Sequence, residues 1–93
     1  MLSELAAAGV EGRLDGADVR VDGVHRDSSE VEPGDLFVAF PGQRSDGTEY
    51  VADAVRNGAV AVMASREVDA GVPVFVAHDV LRGLSIAAEA VYG

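Results

Sequence analysis

The run from Gly34 to Met63, GDLFVAFPGQRSDGTEYVADAVRNGAVAVM, decides how this chain folds. Leu36 to Phe40 is a continuous apolar stretch, entered through Pro33-Gly34-Asp35 and left through Pro41-Gly42. Pro presets the second position of a type II turn and Gly supplies the third, so that turn is expected before the stretch. A short apolar run bounded by turns is the pattern of a strand buried on both faces. Thr48 to Asn57 then places Tyr50, Val51, Ala54 and Val55 on one helical face, with Asp46 or Thr48 to cap the start and Gly58 to end it. Ala59 to Met63 is a second apolar run. Strand, helix and strand in this order make a parallel crossover, the βαβ unit.

Outward from this unit the signals are shorter. Leu2 to Ala8 reads as two turns of helix ended by Gly9, and Val10 to Ala17, with several charges and three Gly counting from Gly9, reads as loop. Val19 and Val21 alternate with Arg20 and Asp22, the period-two pattern of a half-buried strand running to about Val24. Pro73 to Ala77 is a Val-rich strand behind a charged loop from Ser65 to Gly71. Val80, Leu81, Leu84, Ala87, Ala88 and Val91 recur at helical spacing after Asp79, whose carboxylate suits a helix start. The sum is an α/β fold: a small open sheet of about four strands with a βαβ crossover, packed by two main helices. At 93 residues it is one domain, with no repeat or low-complexity tract at which to divide it.

Composition excludes several chemistries. Sixteen acidic residues face seven basic ones, all of them Arg, for a formal charge of -9. Without Lys there is no P-loop of the form GxxxxGK[ST] and no Schiff-base nucleophile. Without Cys there is no thiol nucleophile or thiolate metal site, and His25 and His78 are too few for a three-His zinc centre, so no metal site is expected. An acidic chain with scattered Arg lacks the clustered cations that neutralise nucleic-acid phosphates. No run approaches the roughly 18 apolar residues that cross a bilayer, and the amino terminus does not resemble a secretory signal, so neither a membrane nor a nucleic-acid partner is expected and the location expected is cytoplasmic.

Polar residues gather in two loops, His25 to Glu30 after the first alternating strand and Gly42 to Gly47 after the buried one. Ligands in open α/β sheets bind beyond the carboxyl ends of strands, which is where both loops fall. The second loop enters a helix, where free N–H groups favour an anion, and Arg44 offers a planar fork for a phosphate. The plainer reading of the same residues is a solvated loop with Gly for turn geometry and Asp46 as a cap. Ser28 or Ser29 as a nucleophile would need His25 as its base; a hydroxyl that binds a ligand or caps a turn fits the irregular segment better. Gly83-Leu84-Ser85-Ile86-Ala87 lacks the second Gly of a nucleophile elbow and sits inside a helix, so Ser85 is structural. His78 reads as a surface or capping residue, and Asp15, Asp18 and Asp22 as a solvated face. No catalytic residue is assigned.

Taken together, GVHRDSSEVEPGDLFVAFPGQRSDGTEYVADAVRNGAVAV, residues 23 to 62, resembles the amino-terminal domain of the Mur ligases, which build the peptide of bacterial cell-wall precursors. The pattern is DS, GDLFVA, G, DG, an aromatic at Tyr50, a helix and GAxAV at fixed spacing, and the likeness continues through PVFVAHDVLRGL to Tyr92-Gly93. Asp79, Arg82, Leu84 and Tyr92 look most like the member that adds the third residue to UDP-N-acetylmuramoyl-L-alanyl-D-glutamate; the member that adds the terminal D-alanyl-D-alanine dipeptide is the alternative.

The resemblance implies a substrate-binding domain of an ATP-dependent, amide-forming ligase, inactive alone, with ATP and Mg2+ held by the remaining domains, which would also be its partners, and no cofactor in this one. It implies uridine contacts at Arg26 and Ser28 and a second group at Gln43, Arg44 and Ser45. Asp27, Gly42, Asp46 and Gly47 would shape the loops. Ser29 stands where the family usually has Arg, and Arg26 where relatives are often apolar, so the Arg26 contact is expected through backbone as readily as side chain. A reading from another class takes the acidic charge at face value: a noncatalytic module docking on a basic partner, with nine acids against three Arg in the first thirty-five residues.

Overall fold

The computed structural model describes residues 2–40 and 50–93. In chain order the described elements are α1 (Glu4–Ala7), β1 (Gly12–Asp15), β2 (Gly23–His25), a 3-10 turn (Ser28–Glu30), β3 (Asp35–Val38), α2 (Val51–Arg56), β4 (Ala61–Ala64), β5 (Val74–Ala77) and α3 (Val80–Tyr92). They form a mixed α/β fold around one sheet of order β1-β5-β4-β3-β2, with β2 to β5 parallel and β1 antiparallel against β5.

The two apolar runs are the inner strands, as their composition requires. Every residue of β3 and β4 is buried, because both sheet faces are covered. Leu36, Val38, Ala61, Met63, Phe75 and Ala77 face one way, onto Leu2, Leu5, Val80 and Ala87 of the α1 and α3 side. Phe37, Ala39, Val62, Ala64 and Val74 face the other, onto Val31, Val51, Ala54 and Ala59. One-residue alternation thus splits each strand between two cores.

Chain ends of the helices follow their sequence signals. The Asp79 carboxylate accepts the Arg82 N–H at 3.1 Å and starts α3. Gly58 ends the α2 turn at φ +113, and Gly34 takes φ +95 while the Asp35 N–H donates to the Glu32 carbonyl at 3.1 Å, the expected turn ahead of β3. The cap expected for α2 at Asp46 or Thr48 lies outside the described residues.

Two expectations change. Val10 to Ala17 is not all loop: Gly12–Asp15 pairs with β5, from Gly12 against Ala77 to Asp15 against Val74, making a fifth strand. Its side chains are largely exposed, so pairing rests on backbone bonds and left no apolar period to read. Gly12 is required there, since a Cβ would lie 2.0 Å from the Val76 carbonyl oxygen. Conversely, only Gly23–His25 of the alternating stretch from Val19 pairs in the sheet. Val19 and Val21 pack against the core from extended chain outside any ladder, so their alternation marked burial rather than strand pairing. A third, four-residue helix, α1, joins the two main ones; its leading Ser3 donates through N–H and hydroxyl to Asp18, at 2.8 and 2.6 Å, which holds that carboxyl below its ordinary range.

Candidate functional site

The carboxyl ends of β2 and β3 lie side by side, with His25 in register with Phe37. The chain leaving β2 supplies Arg26, Asp27 and Ser28, that leaving β3 supplies Phe40, and Tyr50 stands at the head of α2. These five residues line one open cleft of about 540 Å³. The strand order rises without reversal from β2 to β5, so the crevice does not come from a switch in winding direction. It comes from the short crossover between β2 and β3, which turns back immediately beyond the sheet.

That crossover is fastened at several points. Asp27 is its cap: one carboxylate oxygen accepts the Ser29 hydroxyl at 2.7 Å and the Ser29 N–H at 3.0 Å. These two bonds, the hydroxyl first, stabilise the anion and hold the Asp27 carboxyl below its ordinary range. The Asn57 amide donates to the Ser28 carbonyl at 2.8 Å, tying the turn to the end of α2. Val31 is buried in the core beneath it. Ser29 therefore serves the turn through its hydroxyl.

His25 belongs to the foundation of the site. Its Nε2 lies 3.2 Å from a carboxylate oxygen of Asp35, and its Nδ1 lies 3.9 Å from Glu30. Asp35 is buried, and the same oxygen accepts the Glu32 N–H at 2.9 Å. Both imidazole nitrogens face carboxylates. On the outer edge of β2, the Val24 N–H donates to the Tyr92 hydroxyl at 2.7 Å, and that hydroxyl donates to the Val24 carbonyl at 3.2 Å. A side chain from the last turn of α3 thus satisfies the edge of the strand that carries the site.

Of the residues proposed from sequence, Arg26, Asp27 and Ser28 meet in the cleft. Gly42, Gln43, Arg44, Ser45, Asp46 and Gly47 lie outside the described residues. Sequence reasoning missed Asn57 and the place of Phe40 and Tyr50 in the cleft. Tyr50 was expected on the buried face of its helix; it is 47% exposed, while Val51 and Ala54 take the buried positions. Its place directly behind a polar loop was the available signal. Elsewhere, His78 is exposed with its N–H on the Glu11 carbonyl, Ser85 is exposed on α3, and Arg20 engages Asp22 at 2.9 Å. Among the described residues no group of three or more acidic or His side chains could hold a metal ion, and no helix is long and apolar enough to cross a membrane.

Comparisons with known proteins converge on this architecture. A family model described as "Mur ligase family, catalytic domain" matches residues 20–91. The UDP-N-acetylmuramoyl-L-alanyl-D-glutamate--2,6-diaminopimelate ligase of Rhizobium meliloti (strain 1021) is 46% identical over 81 residues, which is 85% of this chain and 17% of that protein. The ligase of the same name from Agrobacterium fabrum is 47% identical over 75 residues, 81% of this chain and 15% of that protein. Among solved structures, MurF from Acinetobacter baumannii superposes with a TM-score of 0.76 at 28% identity, covering 90% of this chain and 19% of that one. The chain spans about one-sixth of the length of these curated relatives. A family match running from the approach to β2 almost to the end of α3 takes in the cleft, the crossover-side core and most of the α3-side core, and by it this chain belongs to the Mur ligase family.

Proposed function

We propose that this chain holds the UDP end of UDP-N-acetylmuramoyl-L-alanyl-D-glutamate for an ATP-dependent, amide-forming ligase that adds the third residue of the peptidoglycan precursor peptide in the cytoplasm. The observation that carries the reading is the convergence of Arg26, Asp27 and Ser28 with Phe40 and Tyr50 beyond the ends of β2 and β3. Ser28 brings a hydroxyl whose backbone is already fixed by Asn57, and Arg26 brings a guanidinium to an otherwise acidic chain. Gln43, Arg44 and Ser45 are proposed to complete the grip on the uridine diphosphate, with Gly42, Asp46 and Gly47 shaping their loop. The relatives at 46% and 47% identity are named for this dipeptide substrate and for 2,6-diaminopimelate.

Catalysis is assigned to the remainder of a longer ligase. ATP and Mg2+ are proposed to be held by that remainder, since the chain has no Lys for a P-loop. A second reading, the first domain of the ligase that adds the D-alanyl-D-alanine dipeptide, is favoured by the superposition on MurF; identity of 28% there against 46% to the diaminopimelate ligase favours the first.

The test is a titration of the chain with UDP and with UDP-N-acetylmuramic acid, followed by amide chemical shifts. Shifts concentrated in the residues that line the cleft and in residues 43 to 45 are expected, with weak affinity, because most of the substrate finds no contact here. Unmoved amides at millimolar nucleotide would overturn the reading.

A further inference from the structure

We propose that Tyr50 is the platform on which the uracil ring of the nucleotide stacks. The inference rests on the UDP reading above and assigns a residue that helical spacing had set on one face of α2 with Val51, Ala54 and Val55. Three large apolar side chains are conspicuously exposed among the described residues: Tyr50, Leu81 and Tyr92. Leu81 and Tyr92 lie on α3, and the Tyr92 hydroxyl is engaged with β2. Tyr50 alone of the three lines the cleft.

Among the described residues, the Tyr50 side chain makes no hydrogen bond or ion pair. It stands at the amino-terminal boundary of α2 and makes no side-chain cap bond, whereas the caps of the 3-10 turn and of α3 both do. Phe40, the other aromatic of the cleft, is half-buried and packed against the α3-side core. The accessible aromatic surface of the site therefore belongs to Tyr50. A nucleobase offers a flat, neutral face that stacks on such a ring, while selection among bases is left to polar groups at the base edge. Ser28 stands in the same cleft to supply one. Stacking is also insensitive to the field of an acidic chain, which opposes the diphosphate but not a neutral base.

The experiment compares the unmodified chain with Tyr50→Phe and Tyr50→Ala, each titrated with UDP and with inorganic diphosphate. Stacking predicts that Tyr50→Ala weakens UDP about tenfold or more, that Tyr50→Phe stays within about twofold, and that diphosphate binding is unchanged by either. In the unmodified chain, nuclear Overhauser contacts are expected between the Tyr50 ring protons and uracil H5 and H6, a readout independent of how the variants fold. Absence of those contacts with UDP bound, or equal UDP affinity in Tyr50→Ala, overturns the stacking role and leaves the UDP site standing. Failure of UDP to bind the unmodified chain overturns both.

Discussion

The two faces of the sheet are closed by different means. One face is covered largely by a single continuous element, the 13-residue α3, started by Asp79 and pinned at its end by Tyr92 on Val24. The other is covered by the successive crossovers between parallel strands: the 3-10 turn, then α2, then the segment carrying Val68, Ala70 and Val72. A continuous helix satisfies its own backbone along its length and needs partners only at its ends. Short crossovers must each find partners in their neighbours, as the Asp27 cap, the Asn57 bond and the turn at Gly34 do. The cleft lies on these turning points, where backbone and side chains are held by local bonds yet stay open to solvent. The helical face supplies a foundation and the crossover face supplies the site.

The sharpest way to break this division is to remove the largest side chain from each core. Phe75 on the α3 side and Phe37 on the crossover side are both 1% exposed, and replacement of either by Ala is expected to cost about 3–5 kcal/mol in urea unfolding. The difference should appear in native-state hydrogen exchange: Phe37→Ala speeds exchange in the 3-10 turn and α2, and Phe75→Ala speeds it in α3. The same pattern in both variants would show that the two faces do not loosen separately.

Glycines give the next largest contrast. A Cβ on Gly58, at φ +113, would lie 2.5 Å from the Pro33 Cα, so Gly58→Ala meets rigid backbone in a disfavoured conformation and should cost on the order of 2 kcal/mol. On Gly83 of α3 the nearest atom is the Met63 sulfur at 2.6 Å, a flexible neighbour. The gain of about 0.5–1 kcal/mol from Ala in a helix offsets its displacement, and thermal denaturation should find Gly83→Ala much the milder change.

Tyr92→Phe removes the hydroxyl that serves both Val24 backbone groups and should cost about 1–2 kcal/mol, with faster exchange of the Val24 amide. Unchanged exchange there would mean that α3 does not brace the strand bearing the site.

The smallest effect concerns Asp27. Its carboxyl titrates below the ordinary range because Ser29 stabilises the anion, so whatever this cap contributes is present above the unfolded carboxyl pKa and is lost as pH falls through the lower folded value. Carboxyl NMR should show Ser29→Ala moving the Asp27 titration upward, toward that of an ordinary Asp. An unmoved titration would assign the lowered value to another cause.

The βαβ unit was legible because its strands are buried on both faces and are therefore apolar throughout. Strand β1 was hidden for the opposite reason: an edge strand joined by backbone bonds needs no apolar pattern. At the site, Arg26, Asp27 and Ser28 were readable as a polar turn behind a strand. Asn57 was not, because its bond to the Ser28 carbonyl spans 29 residues of sequence. Tyr50 misled helical periodicity because it stands at a helix end, where the apolar stripe no longer dictates burial.

What the sequence by itself determined is what depends on local chemistry: the two core strands, the turn at Gly34, the cap at Asp79, the lack of any Lys for a P-loop and the family motif. Only the tertiary structure decided the antiparallel edge of the sheet, the bracing of β2 by Tyr92, the Asp35 carboxylate beneath His25 and the exposure of Tyr50 in the cleft. Each of those depends on which distant backbone or side chain arrives alongside. That is set by how two cores close around one sheet, a property of no single segment.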